Sequence, residues 1–175
     1  LNQFIKTGFP NKRIEDWKFS DLNQIISSNI KELKFFNDKT IPDEFDQSIL
    51  INSLDHNKII LINGLIFKFD FNYEEKNKIE IINTHETEDF NSKNSLVSLN
   101  NALKCNYVKL TIKENYSLNK PLIIYNITNK KLKSNTINQR IDFILKKNSS
   151  LKLVNLFDDS SNNNFININY QFKIE

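Results

Sequence analysis

Four small groups of residues have the types that could do chemistry. His85-Glu86-Thr87-Glu88 offers an imidazole and two carboxylates, a donor set for a metal ion. These residues are neighbours in the polar run Thr84 to Asp89, with no second His nearby, so nothing in the spacing aims them at one point; a solvated loop fits better. Asp55-His56 stands before an apolar run and reads as a turn. Cys105 has the type of a nucleophile or of a zinc or iron–sulfur ligand, but it belongs to no CxxC and has no evident partner, so it reads as a free thiol near a helix end. Asp158-Asp159 is a carboxylate pair of the kind that polysaccharide-active enzymes use; its place ahead of Ser160-Ser161-Asn162-Asn163-Asn164 reads as a solvated turn. Two glycines, Gly8 and Gly64, cannot build a phosphate loop of the Walker type. The expectation is a chain with no catalytic, cofactor-binding or metal-binding residue, and not an enzyme.

The elements that would position these groups are mostly strands. Val108 to Lys113, Arg140 to Leu145 and Ile166 to Glu175 alternate apolar and polar residues, so each presents one face to a core and one to water. The first two also align with each other. Leu110 to Ser117 lies over Phe143 to Ser150, with Lys113 and Lys146 33 residues apart, and Tyr170-Gln171-Phe172-Lys173 begins a third copy 27 residues on. That alignment stacks Leu110, Phe143 and Tyr170 as one ladder and Ile112, Leu145 and Phe172 as the next. A repeat of this length in strand-rich sequence suggests stacked coils. Asn115 and Asn148 occupy equivalent places after their strands, where a residue in the left-handed region could turn the chain without Gly.

Earlier in the chain, Lys12 to Ser20 (with Ile14, Trp17 and Phe19) and a segment capped by Ser20 through Leu22, Ile25 and Ile26 carry the helical signal. Trp17, the only tryptophan, reads as a core or docking anchor. A short strand is expected near 31–36. Asn63-Gly64 between Ile59-Ile60-Leu61-Ile62 and Leu65-Ile66-Phe67 marks a type I′ hairpin, with Ile79-Glu80-Ile81-Ile82 as a further strand of the same small sheet. Leu96, Leu99, Asn100 and Leu103 share a helical face. The expected division is an N-terminal helical and small-sheet region, 1–95, and a strand-rich core, 96–175.

Composition bounds the partners. Hydrophobic residues make up 39% of the 175, enough for a core, and no apolar run approaches a membrane span. A net charge of +3, with lysines interleaved among acids, predicts no nucleic-acid stripe. The single cysteine rules out an internal disulfide and fits a reducing compartment. The 29 asparagines and the excess of Lys over Arg read as nucleotide bias in the source genome. The absence of Met and the open strand pattern at Glu175 are expected of a piece of a longer chain.

Gly8-Phe9-Pro10-Asn11-Lys12-Arg13-Ile14-Glu15-Asp16-Trp17-Lys18-Phe19-Ser20-Asp21-Leu22 resembles the opening motif of the SufB/SufD family, and its SufD branch in particular. Leu99 to Leu103 followed by Lys120-Pro121-Leu122-Ile123-Ile124 is similar to the start of that family's core. Arg140 to Leu145 with Asn148 to Val154 resembles its first full coil, so the similarity runs in order along nearly the whole chain. The resemblance implies a cytoplasmic (or plastid) scaffold subunit of iron–sulfur cluster assembly, working with a SufB-like paralogue and a SufC-type ATPase. It implies an α+β N-terminal region followed by the first coils of a right-handed parallel β-helix, with the cluster-forming and ATPase-binding parts beyond residue 175. No functional residue carries over; Trp17 and Glu15 are assigned to structure, as an anchor and as a cap or ion pair. A β-helix enzyme acting on polysaccharide, a generic interaction module and a SufB-like chain are the alternatives.

Overall fold

The computed structural model describes residues 1–35, 45–84, 92–104, 107–129, 131–158 and 163–175. Its strands are β1 (Asn57–Ile62), β2 (Leu65–Asp70), β3 (Ile79–Thr84), β4 (Tyr107–Ile112), β5 (Leu122–Ile127), β6 (Thr136–Leu145), β7 (Leu153–Asp158) and β8 (Phe165–Ile174). Among the described residues three α-helices accompany them: α1 (Asn2–Thr7), α2 (Leu22–Asn29) and α3 (Ser95–Leu103).

The strands form two four-stranded sheets, ordered β2-β1-β5-β7 and β3-β4-β6-β8. Both are mixed. β1, β5 and β7 run parallel, as do β4, β6 and β8, while β2 and β3 close one edge of each sheet antiparallel. The expected right-handed parallel β-helix is therefore corrected to an α+β fold of two mixed sheets with few helices. The physical reason lies at the hairpin and at β3. Asn63 and Gly64 both have positive φ, 53° and 80°, so the type I′ turn folds β2 straight back on β1. β3 then joins the other sheet, against β4, and not the hairpin's own sheet as its proximity in sequence suggested.

The sheets face each other across one apolar layer: Ile59, Leu61, Leu122 and Ile124 from the first, Val108, Leu110, Ile141 and Phe143 from the second, all fully buried. From β4 onward, successive strands alternate between the sheets, so strand-length alternation and a repeat coexist. β1 and β3, which precede residue 95, bond directly to β5 and β4, which follow it. The outer face of the first sheet is covered as well. Ile60, Ile62, Ile123, Tyr125 and Ile127 pack under Phe45, Ile49, Leu50 and Ile51.

The repeat is realised with one correction. Leu110 lies beside Phe143 and Ile112 beside Leu145, the 33-residue spacing. On the next strand Phe143 lies beside Phe172, Leu145 beside Ile174, and Ile141 beside Tyr170, a spacing of 29 and not 27. The two spacings differ by two residues, which preserves inside and outside, so hydrophobic alternation alone could not separate them. The corners are as expected: Asn115 and Asn148 both have φ of 56°. They also touch, Asn148 Nδ2 donating to Asn115 Oδ1 at 2.9 Å, with Ser150 and Ser117 hydroxyls bonded beside them at 2.7 Å.

The N-terminal region departs further from its reading. The expected helix from Lys12 to Ser20 is a string of i to i+3 turns with one 3₁₀ turn at Glu15–Trp17. Asp21, not Ser20, caps α2, accepting from the Gln24 amide at 2.9 Å. Trp17 is only half-buried and Phe19 is 88% exposed, so neither is a core anchor. Glu15 makes the surface ion pair allowed for it, with Lys18 at 3.1 Å. Docking is done by Phe9, whose ring meets Phe4 at 5.0 Å and Phe165 of β8 at 5.4 Å, centroid to centroid. The strand expected near 31–36 is a single parallel bridge, Lys34 to Asn135.

Candidate functional site

Among the described residues, three buried polar networks hold the titratable side chains that the fold brings together. The largest surrounds Glu74, in the loop after β2. Its carboxylate meets the start of β1 and the β4–β5 loop. Oε1 accepts from Asn57 Nδ2 (2.7 Å) and the Lys120 amide (3.1 Å); Oε2 accepts from the Tyr116 hydroxyl (2.8 Å) and the Asn119 amide (3.0 Å). Burial pushes the Glu74 carboxyl up, but the Asn119, Asn57, Tyr116 and Lys120 donors outweigh it and hold the group below its ordinary value. Four donors fill the acceptor positions of a carboxylate, so Glu74 clasps two loops and has no lone pair left to take a proton from a substrate.

At the rim of this network stands Asp55. Tyr73 donates to Oδ1 at 3.1 Å and Lys120 Nζ to Oδ2 at 3.3 Å. The Tyr73 bond first, then Lys120, keeps Asp55 below the usual carboxylate value. Its neighbour His56 is turned inward and buried. Nδ1 lies 2.6 Å from the Leu54 carbonyl, which can only accept, so Nδ1 carries the hydrogen. Nε2 then accepts from the Tyr125 hydroxyl at 2.7 Å, and that oxygen accepts from the Ile51 amide at 3.2 Å. The pair Asp55-His56, expected as a turn, instead lies between a bend at 53–54 and the start of β1, and the imidazole ties the 45–51 segment to the first sheet.

The third network holds the one buried arginine. Arg140, 3% exposed on β6, donates through Nε (2.8 Å) and Nη2 (2.9 Å) to Asp142, two residues along the same strand. Nη1 reaches Asn101 Oδ1 of α3 (3.3 Å), Nη2 reaches Gln171 of β8 (2.9 Å), and the guanidinium lies 5.1 Å from the Tyr107 ring. The Tyr107 hydroxyl adds a bond to Asp142 Oδ2 at 2.8 Å. Lys104, the residue just after α3, sits beside this group. Burial first, then the Arg140 charge, holds its amine down at about 8, with Asp142 opposing.

The other sequence candidates are not gathered into a site. His85, Glu86, Glu88, Cys105 and Asp159 lie outside the described residues. Asp158 ends β7, where its backbone carbonyl accepts from Thr128 at 3.0 Å. Among the described residues no group of three His, Cys, Asp or Glu could hold a metal ion, and no helix is long and apolar enough to cross a membrane. An open groove of about 550 Å³ is lined by Lys78, Lys113, Lys146, Glu80 and Glu114, a mixed-charge surface with no convergent acid–base pair.

Sequence reasoning passed over Glu74, Lys104 and Arg140. Arg140 had a signal: it is one of two arginines among 24 basic residues, two positions from an acid on a strand. Glu74 had none, because its donors lie 17 to 46 residues away. No protein-family model matches the chain, and no curated protein is found as its relative.

Proposed function

We propose that this chain is the N-terminal part of a scaffold subunit of iron–sulfur cluster assembly, of the SufD type. The observation that carries the reading is the stretch Gly8 to Leu22, followed in order by the stretches at 99–124 and 140–154. In this reading the cluster is cargo of the whole assembly, and the chain itself supplies shape and contact surface. It works in the cytoplasm with a SufB-like paralogue and a SufC-type ATPase, and it binds neither nucleic acid nor membrane.

Two structural features support a scaffold over a catalyst. The buried titratable groups at Glu74 and Arg140 are occupied by internal partners, which suits rigidity. Phe9, inside the opening stretch, packs on Phe165 of the last strand, so the segment carrying the resemblance is tied to the sheets.

The test is co-purification. The full-length protein, tagged and isolated from its own cells, should bring down an ATPase and a second chain similar to itself. Loss of the full-length gene product should lower iron–sulfur enzyme activities. Recovery of the protein without either partner, with those activities intact, would favour the second reading, an interaction module with no metal link. The exposed apolar side chains Phe157, Phe172 and Ile174 on edge strands β7 and β8 are what that alternative rests on.

A further inference from the structure

We propose that Lys104 is a nucleophilic amine that takes an acyl group from an acyl thioester, a modification site at the C-terminal end of α3. The inference does not depend on the scaffold reading. It begins from a charge imbalance. Two cations, Lys104 and Arg140, meet at Asn101: Lys104 Nζ donates to its backbone carbonyl at 2.8 Å, and Arg140 Nη1 to its side-chain oxygen at 3.3 Å. One carboxylate, Asp142, serves both, and it is committed to Arg140 through two bonds and to Tyr107 through a third. Among the described residues no carboxylate lies within ion-pair distance, 4.0 Å, of Lys104 Nζ. The ammonium is therefore half-buried, answered by one neutral carbonyl, and next to a guanidinium fixed in place.

Such a setting favours the uncharged amine, because both desolvation and the neighbouring cation act against the ammonium. The groups facing Lys104 are Arg140 and Asp142 from β6, with Asn101 on its own helix. Burial and Arg140 prevail over Asp142, consistent with an amine held at about 8. The neutral Nζ attacks the thioester carbonyl carbon; the C–N bond forms, the C–S bond breaks, the thiolate leaves, and the excess proton on nitrogen passes to water. The product suits the site. An amide N–H still donates to the Asn101 carbonyl at the helix end, while the charge that opposed Arg140 is gone.

The experiment is competitive labelling of the folded chain with a small acetyl thioester, followed residue by residue by peptide mass spectrometry across a pH series. Near neutral pH Lys104 should acetylate roughly tenfold or more faster than exposed lysines such as Lys113 and Lys152. Its rate should level off above about 8, the value set by its surroundings, where an ordinary lysine amine, at about 10.4, would continue to climb. In urea-unfolded chain the preference should vanish, which separates the folded site from a local sequence effect. A Lys104 rate equal to or below that of the exposed lysines, or a preference that persists in the unfolded chain, would overturn the proposal.

Discussion

Replacing Glu74 by Gln exchanges an acceptor of four donors for a group with two hydrogens of its own. One of its two ends must then face Asn57 and the Lys120 amide, or Tyr116 and the Asn119 amide, donor against donor. Glu74→Gln should cost about 2–4 kcal/mol, the price of buried donors left unmet, read from urea unfolding at neutral pH. The pH dependence follows from the direction of the Glu74 shift. The folded-state carboxyl is held below its unfolded value, so its stabilisation is complete above the unfolded value of about 4.5 and is lost as pH falls through the folded one. Wild type and variant should therefore converge in stability toward acid. Lys104 has the opposite sense: its folded value, about 8, lies below the unfolded 10.5, so the folded chain gains stability as pH rises between the two. Lys104→Met should raise the melting temperature at neutral pH and lose that advantage above pH ~10.5.

At the scale of elements, corners and register carry the argument. Gly64 has φ of +80°, and a Cβ there would meet Ile137 Cγ2 at 2.8 Å. Gly64→Ala should destabilise by about 1–3 kcal/mol through both strain and crowding, measurable as a lower urea midpoint with an unchanged slope. Asn148→Ala should cost about 1 kcal/mol, from the left-handed backbone and the lost bond to Asn115, while Asn148→Gly should keep the corner at a smaller cost. Much of this was legible in the residues. The Asn63-Gly64 turn, the α3 face of Leu99 and Asn100, and the Asn115 and Asn148 corners all have local chemistry behind them. What was not legible is what distance decides. The place of β3 depends on β4, 23 or more residues on, and the partner of Phe143 changes from Tyr170 to Phe172 without altering the alternation. Trp17 was preferred as an anchor for its size; Phe9 holds the position because β8 returns Phe165 to it. The polar networks were the least visible: nothing in the neighbourhood of Glu74 names its partners, and of those of Arg140 only Asp142 is near it in sequence, Asn101 and Gln171 being 39 and 31 residues away.

For the molecule as a whole, the inter-sheet layer sets stability. Phe143 is fully buried between Leu110 and Phe172. Phe143→Asp should cost several kcal/mol by burying an unpaired charge, and a thermal melt unchanged by it would contradict the placement of that layer. The same layer is open on one side. β7 and β8 are the edges of their sheets, and their inward-facing Phe157, Phe172 and Ile174 are 55%, 52% and 78% exposed. An uncovered edge with an apolar rung promotes association, so this chain should elute larger than a monomer as its concentration rises. Phe172→Lys with Ile174→Lys should shift it toward the monomer.

The alternation of strands between two sheets also has a mechanical meaning. β8 is an edge strand, and once it is gone β6 becomes the edge of that sheet, while β7 is already the edge of the other. A force drawn on Glu175 at right angles to β8 meets its hydrogen bonds to β6 one pair at a time. The opposite end is different, because β2 and β3 are antiparallel strands laid against β1 and β4. Under such tension the chain should yield in small successive steps, rung after rung, and the strands nearest the hairpin should be the last to let go.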